Sequence, residues 1–407
     1  MNTERINIGI TISLSRKEET MWVNGIKMNA IFLMDALMQS NKQYNVYILN
    51  TSNKVKVKDS ETKLPWDTDK YKIYDWADAA VKTDLLIMLG TNITRDDIIE
   101  FRSYPVHKLE KRAISYKCGN NYVIEMERAL FASTENDKKN GCVWSGGEID
   151  DIWMVPQQEY QNKHYYDVFE RVDSKAVPFI WSPMFLDKAA FDFKEQKNIE
   201  TKYLHKDGHK RVVCFEPNNN VVKYSMIPTL IVEKAYRDQL EAIEQYTICS
   251  GMSIGKRTGF VSHIKHLDIY KDKKLKVDGR YPMPAYLADY TDVVISHQWE
   301  NPLNYAYLDA FHFNYPIVHN AEMVKDAGYF YEDFNIQEGA EQLKLACLHH
   351  GENIEQYEES CLRVKSRYMA SNNKKIIEIY DKLIENLWYP EKHKMSYQYD
   401  WKTNLYK

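Results

Sequence analysis

The sequence predicts an α/β protein built from two doubly wound, Rossmann-like domains that face each other across a cleft. Three observations lead there. The chain has 407 residues, too many for one hydrophobic core and enough for two domains of about 200 residues each. Short apolar runs alternate with helical stripes along both halves, the pattern of parallel sheets wrapped by helices. Residues 292–331 pack strand, polar turn, helix, strand and a glycine-bearing loop into one continuous stretch, and the polar residues follow the strand at the end where open α/β sheets bind ligands.

Each element follows from its residues. In the first half, residues 6–12 (INIGITI) form a strand, and Ile26, Ala30, Leu33 and Leu37 form the apolar stripe of a helix after a polar loop holding Asn24 and Gly25. Further strands are expected at 44–49, 84–89, 113–116, 151–155 and 177–181, with a helical turn at 76–81 and an unpatterned lysine-rich stretch at 51–72. The charged residues 187–210 break the alternation and are expected to link the domains. The second half opens with a strand at 211–215, then a polar turn from Glu216 through Asn218, Asn219 and Asn220 to Lys223, then a helix with Pro228 in its first turn. Strands at 246–249, 292–296 and 317–319 follow, with Asn304 capping a helix that turns Leu308, Phe311 and His312 inward. A periodic helix spans 374–387. The expected domains are therefore 1–190 and 205–371, with a C-terminal helix and tail at 372–407 packing back on the first.

Composition narrows the function classes. A formal charge of -4 gives no global attraction to phosphate backbones. No apolar run approaches the roughly 20 residues of a membrane helix, and the amino terminus lacks a signal-peptide core, so a cytoplasmic protein with no membrane span is expected. The six cysteines include no C-x-x-C pair, so neither a zinc site nor a disulfide framework is indicated. Asp67-Thr68-Asp69 lacks a preceding apolar strand and reads as a solvated loop, and His205 and His209 have no third ligand, so no metal is assigned.

Residues 296–331 resemble the donor-binding signature of GT-B glycosyltransferases, an acidic residue, a proline turn and a second acidic residue before a PxV-type strand. The frame here reads Asn301-Pro302-Leu303-Asn304, Asp309-Ala310, then Pro316-Ile317-Val318. Asn301 stands where the first acid is expected, with Glu300 beside it. WMVPQ (153–157), VPFIWSP (177–183), EPNNNVVK (216–223), EKAYR (233–237), SHQWENPLNYAYLDA (296–310) and YPIVHN (315–320) resemble, in the same order, the DUF2827 family, whose GT-B-like members occur in bacteria and tailed phages.

The resemblance implies a glycosyltransferase that moves a sugar from a nucleotide-sugar, a UDP-sugar foremost, to an acceptor hydroxyl, without a tightly bound cofactor or fixed metal. The near match to a retaining-type signature favours retention. Its diphosphate leaving group needs cations and helix amino termini, a need that Lys223 and the asparagine-rich turn of Asn218, Asn219 and Asn220 fit, with Glu216 expected to order that turn or touch the sugar. His297, Glu300, Asn301, Asn304 and Asp309 complete the expected donor site, Asp309 suiting vicinal ribose hydroxyls because a carboxylate accepts two hydrogen bonds. Asn24, Gly25 and Gln157 are expected on the acceptor side, and His297 and Glu148 as catalytic residues, Glu148 from the Gly146-Gly147 loop. Three readings stay open, two that differ in acceptor and one of a different class. One is hydroxymethylcytosine or its sugar adduct in double-stranded phage DNA, in the host cytoplasm, met by the basic stretches 54–72 and 256–280. The second is a cell-surface glycan, glycolipid or protein. The third is a binding module without catalysis.

Overall fold

The computed structural model describes residues 5–21, 25–131, 144, 147–238 and 242–407. Two compact units divide the chain, Met1–Ser182 with Arg367–Lys407, and Pro183–Ser366.

The first unit is a seven-stranded parallel sheet. Its strands are β1 (Asn7–Ile12), β2 (Asn45–Asn50), β3 (Ile73–Asp75), β4 (Leu85–Met88), β5 (Arg112–Lys117), β6 (Asp151–Met154) and β7 (Ser174–Ala176), in the order β3-β2-β1-β4-β5-β6-β7. β1 and β4 are buried along their whole length, which is why both read as unbroken apolar runs instead of alternating ones. Gly90 follows β4, where a Cβ would meet the Thr11 carbonyl oxygen at 2.7 Å, so only glycine lets the two strand ends approach so closely.

The second unit is a six-stranded parallel sheet of β8 (Lys210–Cys214), β9 (Ile243–Ile248), β10 (Leu275–Val277), β11 (Val293–Ile295), β12 (Ile317–His319) and β13 (Tyr329–Phe330), in the order β10-β9-β8-β11-β12-β13. Counted from its own first strand this is 3-2-1-4-5-6, the dinucleotide-binding order whose direction reverses between the first and fourth strands. The core gathers Val212, Ile231, Tyr246, Ile248, Ile295 and Leu343.

Aspartates placed just ahead of strands join neighbours at the amino edge of both sheets. Asp84, before β4, accepts from the Asn7 N–H of β1 at 2.9 Å. Asp292, before β11, accepts from the Arg211 N–H of β8 at 2.8 Å and also holds that guanidinium. Asp150, before β6, accepts from the Ala113 N–H of β5 at 2.8 Å.

Several expectations are corrected. Residues 177–181 are extended but lie beyond β7. Pro178 has no N–H to give a ladder, and the Asn404 side-chain amide pairs instead with both backbone groups of Phe179. The charged segment 187–210 is no plain linker, for Met184–Lys197 is a helix that buries Phe185, Leu186 and Phe193 and exposes its charges. His312 does not turn inward with Leu308 and Phe311; its Nε2 reaches Asp187 at 2.6 Å. The basic stretch 256–280 contains β10, an edge strand whose alternating lysines conceal it. Helix Lys374–Asn386 buries Ile376, Tyr380, Leu383 and Ile384, and the Tyr380 hydroxyl bonds the Pro178 carbonyl at 2.8 Å. Residues 399–406 form a short antiparallel hairpin, Tyr399–Asp400 with Leu405–Tyr406. Among the described residues no helix is long and apolar enough to cross a membrane.

Candidate functional site

The carboxyl ends of β8 and β11 stand side by side, because Val213 pairs with Val294 in register. Glu216 comes two residues after β8 and Ser296 directly after β11, so the topology brings them together at the reversal point. Both are buried, and Ser296 Oγ bonds the Glu216 carboxyl and lies 3.3 Å from the Tyr307 hydroxyl.

Gln298 is the hub of the cluster. Its Nε2 donates to Glu216 Oε2 at 3.1 Å, and its Oε1 accepts from the Asn301 amide and, at 3.2 Å, from Asn304 Nδ2. Its backbone N–H and carbonyl both bond the Asn320 side chain at 3.0 Å. Only a residue with a donor and an acceptor on one planar group can join a carboxyl to two amides in this way. Asn304 then spends its Oδ1 on the Ala306 N–H at 3.0 Å and so caps helix Tyr305–His312. Asp309 lies buried on that helix.

Burial pushes the Glu216 carboxyl up to about 7, against the hydrogen bond from Ser296 and the charge of Lys223. Lys223 is half-buried as a residue, yet its ammonium is the sequestered part: burial lowers its pKa, with Glu216 opposing. Among the described residues it forms no ion pair, and only its backbone is hydrogen-bonded, to Asn218 and Asn220. Asn218 shapes the turn. It adopts φ 55, a conformation asparagine tolerates better than most residues, and its amide ties the Glu216 carbonyl at 2.7 Å to the Ser225 N–H at 2.9 Å. Asn219 is exposed.

His297 is 3% exposed. Its Nδ1 bonds the Tyr331 hydroxyl at 2.9 Å, and Tyr331 reaches the Ser296 carbonyl at 3.3 Å. With the tyrosine proton on that carbonyl, Nδ1 carries the ring proton and Nε2 is a bare acceptor, which has no partner among the described residues. Desolvation holds the imidazole down at about 4, so it is neutral at physiological pH. Half-exposed Phe334 covers it, ring centroids 4.6 Å apart.

The other expected residues do not all join this cluster. Glu300 adopts φ 49 and faces solvent; the left-handed turn sends Gln298 and Asn301 inward and Glu300 outward. Glu148 is a correction: it precedes β6 at the amino edge of its sheet, ion-paired with Arg95 at 2.6 Å, whereas ligands approach carboxyl edges. Gly25 begins helix Gly25–Met38 after β1, and Gln157 follows β6 half-buried, both at carboxyl ends of the first sheet. Asn24 lies outside the described residues, as does Gly146. Among the described residues no group of three His, Cys, Asp or Glu side chains could hold a metal ion. Ser296, Gln298 and Tyr331 were not singled out from sequence, although Ser296 stands directly after an apolar strand and Gln298 two residues further on.

Two doubly wound parallel sheets in one chain, the second carrying a polar cluster at its reversal point, define the GT-B class of fold. Solved structures share it at low identity. Sucrose-phosphate synthase from Thermosynechococcus elongatus matches at TM-score 0.57 and 12% identity, over 95% of this chain and 100% of that one. Anabaena HepE in complex with UDP-glucose matches at 0.52 and 11%, over 93% and 100%. A glycosyltransferase from Rickettsia africae matches at 0.52 and 11%, over 94% and 99%. No curated protein sequence matches. The chain belongs to the family described as "Protein of unknown function (DUF2827)", which matches residues 8–384.

Proposed function

We propose that this protein is a glycosyltransferase whose second unit binds a nucleotide-sugar, and that the sugar passes to an acceptor hydroxyl. One observation carries the reading. At the reversal point of the 3-2-1-4-5-6 sheet stands a lysine ammonium with no ion pair among the described residues, beside a network of amides held by Gln298. A departing diphosphate gains charge as the glycosidic bond breaks, and a fixed cation with a helix amino terminus stabilises it. Lys223 supplies the cation and the Asn304-capped helix the dipole. Asp309 takes the ribose hydroxyls, and His297 Nε2, neutral and an acceptor, takes a sugar hydroxyl. The UDP-glucose held by HepE supports a UDP-sugar as donor. Retention and independence of metal follow from the resemblance of residues 301–318 to retaining enzymes. In that case the leaving phosphate takes the acceptor proton, and no carboxylate base is required.

The decisive experiment is calorimetry with UDP-, GDP- and ADP-sugars, then nucleotide release with hydroxymethylcytosine DNA and with oligosaccharide acceptors. Binding and release with DNA would assign a DNA-modifying enzyme; release with glycans would assign the second acceptor class. Binding with no release against any acceptor would leave a binding module. NMR of the product anomer and activity in EDTA test retention and metal independence. Lys223→Ala should weaken donor binding by about 1.5–3 kcal/mol, the worth of hydrogen bonds to a charged group; unchanged affinity would remove Lys223 from the site.

A further inference from the structure

Arg280 has a second cation's place in the same site. Register lines up the carboxyl ends of three strands, since Cys214 of β8 pairs with Ile248 of β9, and Ile248 with Val277 of β10. Neighbouring strands lie about 4.8 Å apart, so the ends of β8 and β10 are roughly 10 Å apart, a gap that a lysine and an arginine can close from either side. Arg280 stands three residues past β10 and Lys223 on the turn past β8.

The mount of Arg280 is rigid. The Ser250 N–H bonds the Gly279 carbonyl at 2.8 Å and the Gly251 N–H bonds the Asp278 carbonyl at 3.0 Å, stitching the loops after β9 and β10 together. Gly251 permits this approach, for a Cβ there would meet Val277 Cγ1 at 2.7 Å. Asp278 is the nearest carboxylate along the chain, and it is engaged elsewhere, by Lys276 at 2.6 Å, the Gly279 N–H at 2.7 Å and the Tyr281 hydroxyl at 2.8 Å. The Arg280 guanidinium therefore has no ion pair or hydrogen bond among the described residues, and it lies near enough to Lys223 to lower that ammonium's pKa. Glu216, past β8, acts on Lys223, but among the described residues no carboxylate is bonded to either cation, and two cations held close repel one another. A dianion between them removes that cost.

We propose that Lys223 and Arg280 together grip two linked phosphate groups, so that the site selects a diphosphate over a monophosphate. This rests on the nucleotide-sugar reading and names the group within that ligand that Arg280 holds.

The test is calorimetry of the full-length protein with UDP, UMP and inorganic pyrophosphate. Variants are Arg280→Gln, Arg280→Lys and, as a charge control on the exposed helix end, Lys265→Gln. Arg280→Gln should weaken UDP and pyrophosphate by about 10- to 100-fold and UMP far less, with Arg280→Lys intermediate and Lys265→Gln near wild type. Equal small losses in Arg280→Gln and Lys265→Gln would overturn the proposal while leaving donor binding intact. If pyrophosphate binds and depends on Arg280 but no nucleotide does, the anion grip stands and the nucleotide-sugar reading falls. If neither binds the wild-type protein, both fall.

Discussion

Gln298 shows how one side chain fixes the electrostatics of the site. Replacing it with leucine removes the donor to Glu216 and the acceptor for Asn301 and Asn304 at once, and buried groups left unpaired cost about 1–3 kcal/mol each. Gln298→Leu should therefore lower stability by more than one such loss, read by urea denaturation, and weaken donor binding. Glu216 gives a pH signature. Its folded pKa of about 7 lies above the ordinary 4.5, so the folded protein keeps a proton across that window which the unfolded chain releases. Its contribution to stability thus falls as pH rises from about 4.5 to 7, by up to about 3 kcal/mol as an upper bound. His297, held near 4, acts in the opposite sense, costing stability as pH falls below 6.5. Glu216→Gln should become more stable relative to wild type between pH 5 and pH 8 when the two are compared by denaturation at each pH; a difference constant with pH would show that Glu216 is ionised throughout. Much of this cluster was legible. Polar residues placed after apolar strands marked Glu216, His297, Asn301 and Asn304. What composition does not carry is direction: the left-handed turn at Glu300 decides that Gln298 points in and Glu300 out, and a φ angle is not written in residue type alone.

At the level of elements, the same device recurs in both sheets, an aspartate ahead of a strand taking the N–H of its neighbour. Asp292→Ala should cost on the order of 2–4 kcal/mol, because it leaves both the Arg211 N–H and its partly buried guanidinium without their partner. Thermal unfolding of the variant checks it, and a loss below about 0.5 kcal/mol would reduce the bridge to an ordinary surface ion pair. The device also explains why Asp150 and its neighbour Glu148 are bound at the amino edge and not at the ligand edge. Strands buried on both faces, such as β1, β4 and β8, were legible as apolar runs. β3 and β10 were not, because an edge strand of three residues has neither length nor a continuous apolar face. The helix Met184–Lys197 was hidden by its charges, since only Phe185, Leu186 and Phe193 face inward. The extended run 177–181 looks like a strand because backbone conformation follows local residues, whereas its pairing with Asn404 depends on a residue more than two hundred positions away.

For the whole molecule, the discontinuity of the first unit has a direct consequence. Arg367–Lys407 completes the unit that begins at Met1, while Pro183–Ser366 is continuous, has its own core, and holds Glu216, Lys223, Arg280, His297, Gln298, Asn304 and Asp309. A continuous segment of this size can bury a core of its own. The fragment 183–366 should therefore fold cooperatively and bind UDP within about threefold of the full chain, a difference near 0.7 kcal/mol. By contrast, a chain cut after Ser366 lacks the helix Lys374–Asn386, and with it Tyr380, whose hydroxyl bonds Tyr116 and Pro178; removing a buried aromatic alone costs about 3–5 kcal/mol. That truncated chain should lose the unfolding transition of the first unit and keep that of the second, with UDP raising only the surviving midpoint. Circular dichroism melts with and without UDP read both outcomes. A fragment 183–366 that folds but does not bind UDP, while the full chain does, would show that the nucleotide needs residues of the first unit as well.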